Sequence, residues 1–290
     1  MDILYLTHLL SPLIIFALAI GLGVFLTRKF GLNWRLYWIG AATFVLSQIG
    51  HVPFNLAINV LFRRGILPSP PAAWQLPFSA LWLGLSAGLF EEGARYIVYR
   101  WWAKDARRWG KGLLFGAGHG GAEALILGVL LLITYVFMVA YRGADLMKLV
   151  PAEQLSLAQQ QINLYWSVSW YDSLISALER LFALPIQVVL AVLVLQTFTR
   201  HQIRWLFLAI GWHALVDAVA VYAVQTWSVY TTEGLVGVMA VISLAMILAL
   251  RSPEPASPQP QTAYPAAPMP PSAILPMEET AENLDKTRFL

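Results

Sequence analysis

The chain has 290 residues, 58% hydrophobic and 12% charged, with no cysteine and a formal net charge of +3. A soluble domain is near half apolar and about a quarter charged; this composition, with a mean hydropathy of +0.63, excludes an ordinary soluble domain and reads as an all-α polytopic membrane protein. The missing cysteine excludes disulfides, thiolate metal ligands and a cysteine nucleophile, and nothing in the modest net charge supports nucleic-acid binding.

Apolar runs long enough to cross a bilayer fall at 7–27, 36–62, 77–101, 112–141, 172–199, 204–227 and 234–250, which predicts about seven transmembrane helices. Asp2 is the only charge before the first run, so no basic leader region and no cleaved signal peptide are expected. The stretch "SPPAAWQLP" (69–77) reads as a turn-rich loop. The more polar segment 143–171, with "PAEQLSLAQQQ", has room for a surface helix. From Ser252 the chain turns proline-rich ("SPEPASPQPQTAYPAAPMPPS"), so residues 252–290 are expected to be a disordered tail after a transmembrane domain at 1–251. Arg28, Lys29, Arg35, Arg100, Lys104, Arg107, Arg108, Lys111, Arg200, Arg204 and Arg251 fall on one side of the membrane, and Arg63, Arg64, Arg142 and Lys148 on the other. The excess marks the cytoplasmic face, so the N-terminus is expected outside and the C-terminus inside. The arginines at 100–111 serve as topology signals and lipid-headgroup contacts.

Charges inside such runs are costly and call for a reason. The third run carries "EEGAR" (91–95), the fourth "FGAGHGGAE" (115–123) and the sixth "HALVD" (213–217). At about 1.5 Å per residue, Glu91, Glu92, His119, Glu123, His213 and Asp217 all lie roughly 10–20 Å from the inner end of their helices. That common depth on three helices points to one shared site. His119 and Glu123 are four residues apart on one helix face, as are His213 and Asp217. Two imidazoles and a carboxylate suit Zn²⁺, with Asp217 either ligating or orienting an imidazole. Adjacent glutamates diverge by about 100° on a helix, so one can pair with Arg95 while the other addresses water. The spacing favours Glu91 as the partner of Arg95 and Glu92 as the base. Gly116, Gly118, Gly120 and Gly121 allow close helix approach or leave room for a substrate segment. Glu179–Arg180, His51 with Asn55, and the Gly84–Gly88 spacing read as packing or vestibule features.

Taken in order, "EEGAR", "FGAGHGGAE", "ER" (179–180) and "HALVD" resemble the YhfC-type intramembrane metalloproteases. That group is similar to PrsW-type proteases and, more distantly, to the CAAX prenyl proteases and bacteriocin-immunity membrane proteins. The resemblance covers roughly residues 75–220. It implies a glutamate-activated water at Glu91 and Glu92, zinc ligands at His119, Glu123 and His213, and cleavage of a peptide bond in a membrane-associated protein or peptide. Arg95 matches the PrsW and YhfC spacing rather than the CAAX spacing. Relatives often carry a histidine where this chain has Gln187, which hydrogen-bonds but is a poor zinc ligand. The expected setting is the bacterial plasma membrane, with lipid and the membrane-associated substrate as partners. Two other readings stay open: a proton- or ion-coupled transporter, although no internal repeat is evident, and an inactive relative that regulates a membrane partner.

The expected orientation has a direct test in a chain without cysteine. In intact cells an impermeant thiol reagent should label Ser156→Cys and leave Ala106→Cys unlabelled; the opposite pattern would reverse the topology.

Overall fold

The computed structural model describes residues 3–251, and the predicted tail lies outside them. Its long elements are helices: α1 (Ile3–Phe30), α2 (Arg35–Arg63), α3 (Gln75–Trp101), α4 (Trp109–Tyr141), α5 (Leu155–Ser167), α6 (Ile175–Thr199), α7 (Arg204–Thr226) and α8 (Val229–Ala249). The described residues contain no strand. Six of the helices are long and apolar enough to cross a membrane. The expected seventh, α3, is 27 residues long but carries Glu91, Glu92, Arg95 and Arg100, and these dilute its apolar character. The first three of those charges are buried in the bundle, so α3 presents few charges to lipid. At 13 residues α5 is too short to span. It is the surface helix expected in 143–171, tied to α4 by Trp166 Nε1 donating to the Met138 carbonyl at 3.2 Å. The start of α8 lies five residues before the apolar run begins, because Ser228 caps it by accepting from the Thr231 backbone N–H at 3.2 Å.

The centre of the bundle is α6, whose residues 189–195 are at most 1% exposed. A helix apolar on every side is one enclosed by other helices, and α6 touches α1, α3, α4, α7 and α8. Around it α4 packs against α1 and α2, while α3 packs against α7 and α2. The closest crossing is between α2 and α4. A Cβ on Gly118 would stand 1.9 Å from the Tyr37 carbonyl oxygen, and one on Gly40 would stand 2.1 Å from that of Phe115. Only hydrogen at both positions permits this approach. The glycines around His119 therefore hold neighbouring helices, not a substrate segment: Gly116 faces Ala191 and Val188, Gly120 faces Gln187, and Gly121 faces the Tyr37 ring.

At one end of the bundle, Asp105 in the α3–α4 turn accepts from Arg35 Nη1 and Lys111 Nζ, both at 3.1 Å. Slight burial pushes its carboxyl up, but the two cations outweigh this and hold it below the usual carboxylate range. Ala106 beside it is fully buried, so exposed Lys104 is the accessible cysteine position for labelling this end.

The α2–α4 crossing yields a stability prediction. Gly118→Val should destabilise the detergent-solubilised protein by about 1–3 kcal/mol or more through overpacking. Gly211→Ala, where an added Cβ meets nothing within 4 Å, should be neutral or slightly stabilising by helix propensity. Thermal unfolding of both variants beside the parent makes the comparison.

Candidate active site

Arg95 has no exposed surface. A buried cation persists only when paired and hydrogen-bonded. Its guanidinium donates from Nη1 to Glu92 Oε1 and from Nη2 to Gln187 Oε1. Glu91 Oε2 lies farther off, 3.9 Å from Nη2. The expected division between the two glutamates is therefore reversed: the residue three positions back, Glu92, is the salt-bridging partner. Rotamer reach decides this, since both spacings put a carboxylate near the arginine.

The divergence of adjacent residues then sends each glutamate to its own histidine. Glu92 Oε1 accepts from His213 Nδ1 at 2.8 Å. Glu91 Oε2 is paired with His119 Nε2 at 3.0 Å, and its Oε1 accepts from Gln48 Nε2 at 3.0 Å. His213 Nε2 faces Asp217 Oδ2 at 3.5 Å. Glu91, Glu92, Arg95, His119 and His213 thus form one connected cluster from α3, α4 and α7.

Glu123 does not join the histidines. Its Oε1 accepts from Arg180 Nη1 at 2.7 Å and its Oε2 from Gln187 Nε2 at 2.8 Å. His119 and Glu123 share a helix face, but His119 turns toward α3 and Glu123 toward α6. Arg180 also binds Glu179, so the pair read as vestibule lining is wired to the site. Gln187 is the joint: its oxygen accepts from Arg95 while its nitrogen donates to Glu123. This one side chain links two ionic clusters.

Four further side chains, three on α2 and one on α3, reach the site beyond the sequence reading. Gln48 of α2 holds Glu91. His51 and Asn55, read as packing or vestibule features, join it: His51 Nδ1 meets Gln48 Oε1 at 3.4 Å and Asn55 Nδ2 donates to His51 Nε2 at 2.8 Å. Ser86 also contacts His51 and Asn55, at 3.1 and 3.2 Å. The available signal was Gln48, His51 and Asn55 at helical spacing on one face of an apolar run.

The donor types present suit a metal. With Nε2–H directed at Glu91, the Nδ1 lone pair of His119 is buried and without a protein partner, as is Glu92 Oε2. Such orphaned atoms in a fully buried site are costly unless something binds them. Among the described residues, no group of three or more His, Asp and Glu side chains is arranged to hold a metal ion. The donors are present in chemistry, and Glu123 is committed elsewhere.

The model of a family described as YhfC intramembrane metalloprotease matches residues 14–250. The chain is 34% identical over 223 residues to a protein of Bacillus subtilis (strain 168) named "Uncharacterized membrane protein YhfC", covering 73% of this chain and 82% of that one. No solved structure matches.

The unequal pairing of the glutamates has a measurable consequence. Glu92→Gln strips Arg95 of its ionic partner and should cost about 3–5 kcal/mol. Glu91→Gln leaves no cation unpaired but keeps an acceptor oxygen for only one of the two donors, Gln48 and His119, and should cost about 1–3 kcal/mol. Thermal unfolding of the two variants in detergent checks the order, and equal losses would contradict it.

Proposed function

The chain belongs to the YhfC intramembrane metalloprotease family, and we propose that it is a zinc-dependent endopeptidase that cleaves a peptide bond in a membrane-associated protein or peptide. The observation that carries this reading is Glu91, a carboxylate deep in the bundle, held on one oxygen by His119 Nε2 at 3.0 Å and on the other by Gln48 at 3.0 Å. Hydrolysis inside a membrane needs a carboxylate fixed in place and shielded from side reactions, and this one is 6% exposed. The setting proposed is the bacterial plasma membrane, with the N-terminus outside.

His119 and His213 would hold the zinc ion, with Glu92 as the carboxylate whose second oxygen is free. When bound, zinc supplies Lewis-acid polarisation. The chain's own residues do the remainder. Glu91 takes a proton from the attacking water as its oxygen bonds to the scissile carbonyl carbon. It returns that proton to the amide nitrogen as the C–N bond breaks, which releases an amine and a carboxylic acid. Arg95 pairs with Glu92 and limits repulsion between the neighbouring carboxylates. Glu92 sets the orientation of His213 through Nδ1, which leaves His213 Nε2, 3.5 Å from Asp217, as the nitrogen that would meet the metal. Gln187 ties Arg95 to Glu123, which keeps the guanidinium from swinging to Glu91 and competing with His119.

One observation favours a second reading. The three-ligand convergence of a closed zinc site is missing among the described residues, which suits an inactive relative that binds a membrane partner. Zinc content and cleavage decide between the two. The parent should purify with about one zinc per chain and cleave a transmembrane reporter peptide in proteoliposomes. His119→Ala should lose the metal. Glu91→Gln should keep both metal and fold and lose cleavage by at least about 10²-fold. Undiminished cleavage by Glu91→Gln would remove Glu91 as the base, and a parent that binds no zinc and cleaves nothing would favour the inactive relative.

A further inference from the structure

A buried hydrolytic site needs a way in for water, and the packing around Glu91 differs sharply between its two ends. Toward the α3–α4 turn, Tyr99, Leu114 and Phe115 have no exposed surface, and the Tyr99 and Phe115 rings lie 4.6 Å apart. Residues 189–195 of α6 close the same region. That end is a dry apolar plug.

Toward the α2–α3 turn the arrangement is polar and continuous. Trp82 Nε1 donates to Asn55 Oδ1 at 3.1 Å, and Asn55 Nδ2 donates to His51 Nε2 at 2.8 Å. With Nε2 accepting, His51 carries its proton on Nδ1 and directs it at Gln48 Oε1, 3.4 Å away. Gln48 Nε2 then donates to Glu91 Oε1 at 3.0 Å. Every bond in this series donates toward the Glu91 carboxylate, so the chain is polarised in one direction.

Three features mark the seam as wet. Gln48, His51 and Asn55 are each partly exposed, at helical spacing within a span. Polar side chains within a span face the bundle interior or a water-filled cavity, not lipid. At its mouth lies a cavity of about 260 Å³ lined by Asn55, Asn59, Ser69, Gln75, Ser79 and Trp82 among others. That volume accommodates several waters, each with polar partners within reach. The same residues offer a full set of donors and acceptors, so water entering here exchanges hydrogen bonds at little cost.

We infer that the seam between α2 and α3 is the water entrance of this protein, running from the cavity at Asn59 and Asn55 past His51 and Gln48 to Glu91. Water enters from the end of the bundle that carries the α2–α3 turn. His51 and Gln48 are positioning residues of this route: they keep the seam polar and hold Glu91 at its inner end. The purpose given to the route rests on Glu91 as the working carboxylate, whereas its hydration is measurable without any proteolysis.

The absence of native cysteine makes the measurement clean. Single cysteines at Asn59, Asn55, His51 and Ser79 sample the seam. Val52→Cys and Leu56→Cys sample the lipid-facing side of the same helix, where both residues are at least half exposed. A small charged methanethiosulfonate reagent reacts only where the thiol ionises in water. In sealed vesicles, Ser156→Cys marks the α2–α3 end and Lys104→Cys the opposite end. Seam cysteines in variants that keep the parent's thermal stability should react from the Ser156 side, at least about tenfold faster than Val52→Cys and Leu56→Cys. Should His51→Cys fail to fold, Asn55→Cys and Ser79→Cys report on the same seam. Seam cysteines as inert as the lipid-facing controls, or reactive only from the Lys104 side, would overturn the route. A chain that labels along the seam but cleaves nothing keeps the water entrance and loses the protease. A chain that cleaves with an inert seam keeps the protease and loses this entrance.

Discussion

A guanidinium with no exposed surface sits at the middle of this helix bundle, and the arrangement of the other polar groups follows from the need to compensate it. Arg95 cannot lose its proton and cannot reach water from where it lies. It must therefore be met by a carboxylate and by further acceptors, and it is met by Glu92 from its own helix and Gln187 from α6. Gln187 has a nitrogen left to donate, and Glu123 of α4 takes it. Glu123 in turn brings in Arg180 and, through it, Glu179. One unavoidable charge thus organises a polar network across α3, α4 and α6, which is a strong constraint on how those helices are rotated about their axes.

That constraint also sorts the two glutamates. Once Glu92 is held by Arg95 and His213, Glu91 is left to His119 and Gln48. Of the two, Glu91 is the carboxylate less committed to charge compensation. A group that must accept and return a proton is better placed outside a tight ion pair, because a neighbouring cation lowers its basicity. Under the proposed function, structural and chemical duties fall on adjacent residues, a single step apart along a helix.

Close packing sets the dimensions of this network. The α2–α4 crossing at Gly40 and Gly118 brings backbones to a separation that no side chain permits. Gly84 plays the same part between α3 and α7, where a Cβ would stand 2.4 Å from the Ala214 carbonyl oxygen. These contacts bring α2 and α7 close enough for Gln48 and His213 to reach α3. Small residues are common at membrane helix interfaces for packing alone; here they also set the reach of hydrogen bonds.

Much of this was legible in the amino-acid order. Bilayer thickness converts run length into helices, so the helical class and the positions of the long helices follow from hydropathy, and rise per residue converts position into depth, which set Glu91, Glu92, His119, Glu123, His213 and Asp217 at one level. The surface helix α5 could be anticipated from a polar segment too long for a turn. What stayed hidden depended on side-chain direction and on neighbours far away in the chain. Helical spacing gave Arg95 two candidate partners and could not choose Glu92, since both lie within one turn. It put Glu123 on the face of His119, but Arg180 and Gln187, more than fifty positions later, draw its carboxylate toward α6. It made Gln48, His51 and Asn55 a stripe without saying what the stripe faced. Depth and periodicity are local quantities that each helix carries in its own sequence. Which carboxylate meets which cation is decided only when helices pack, because partners from other helices fix the direction of each side chain, even where the ion pair itself lies within one helix.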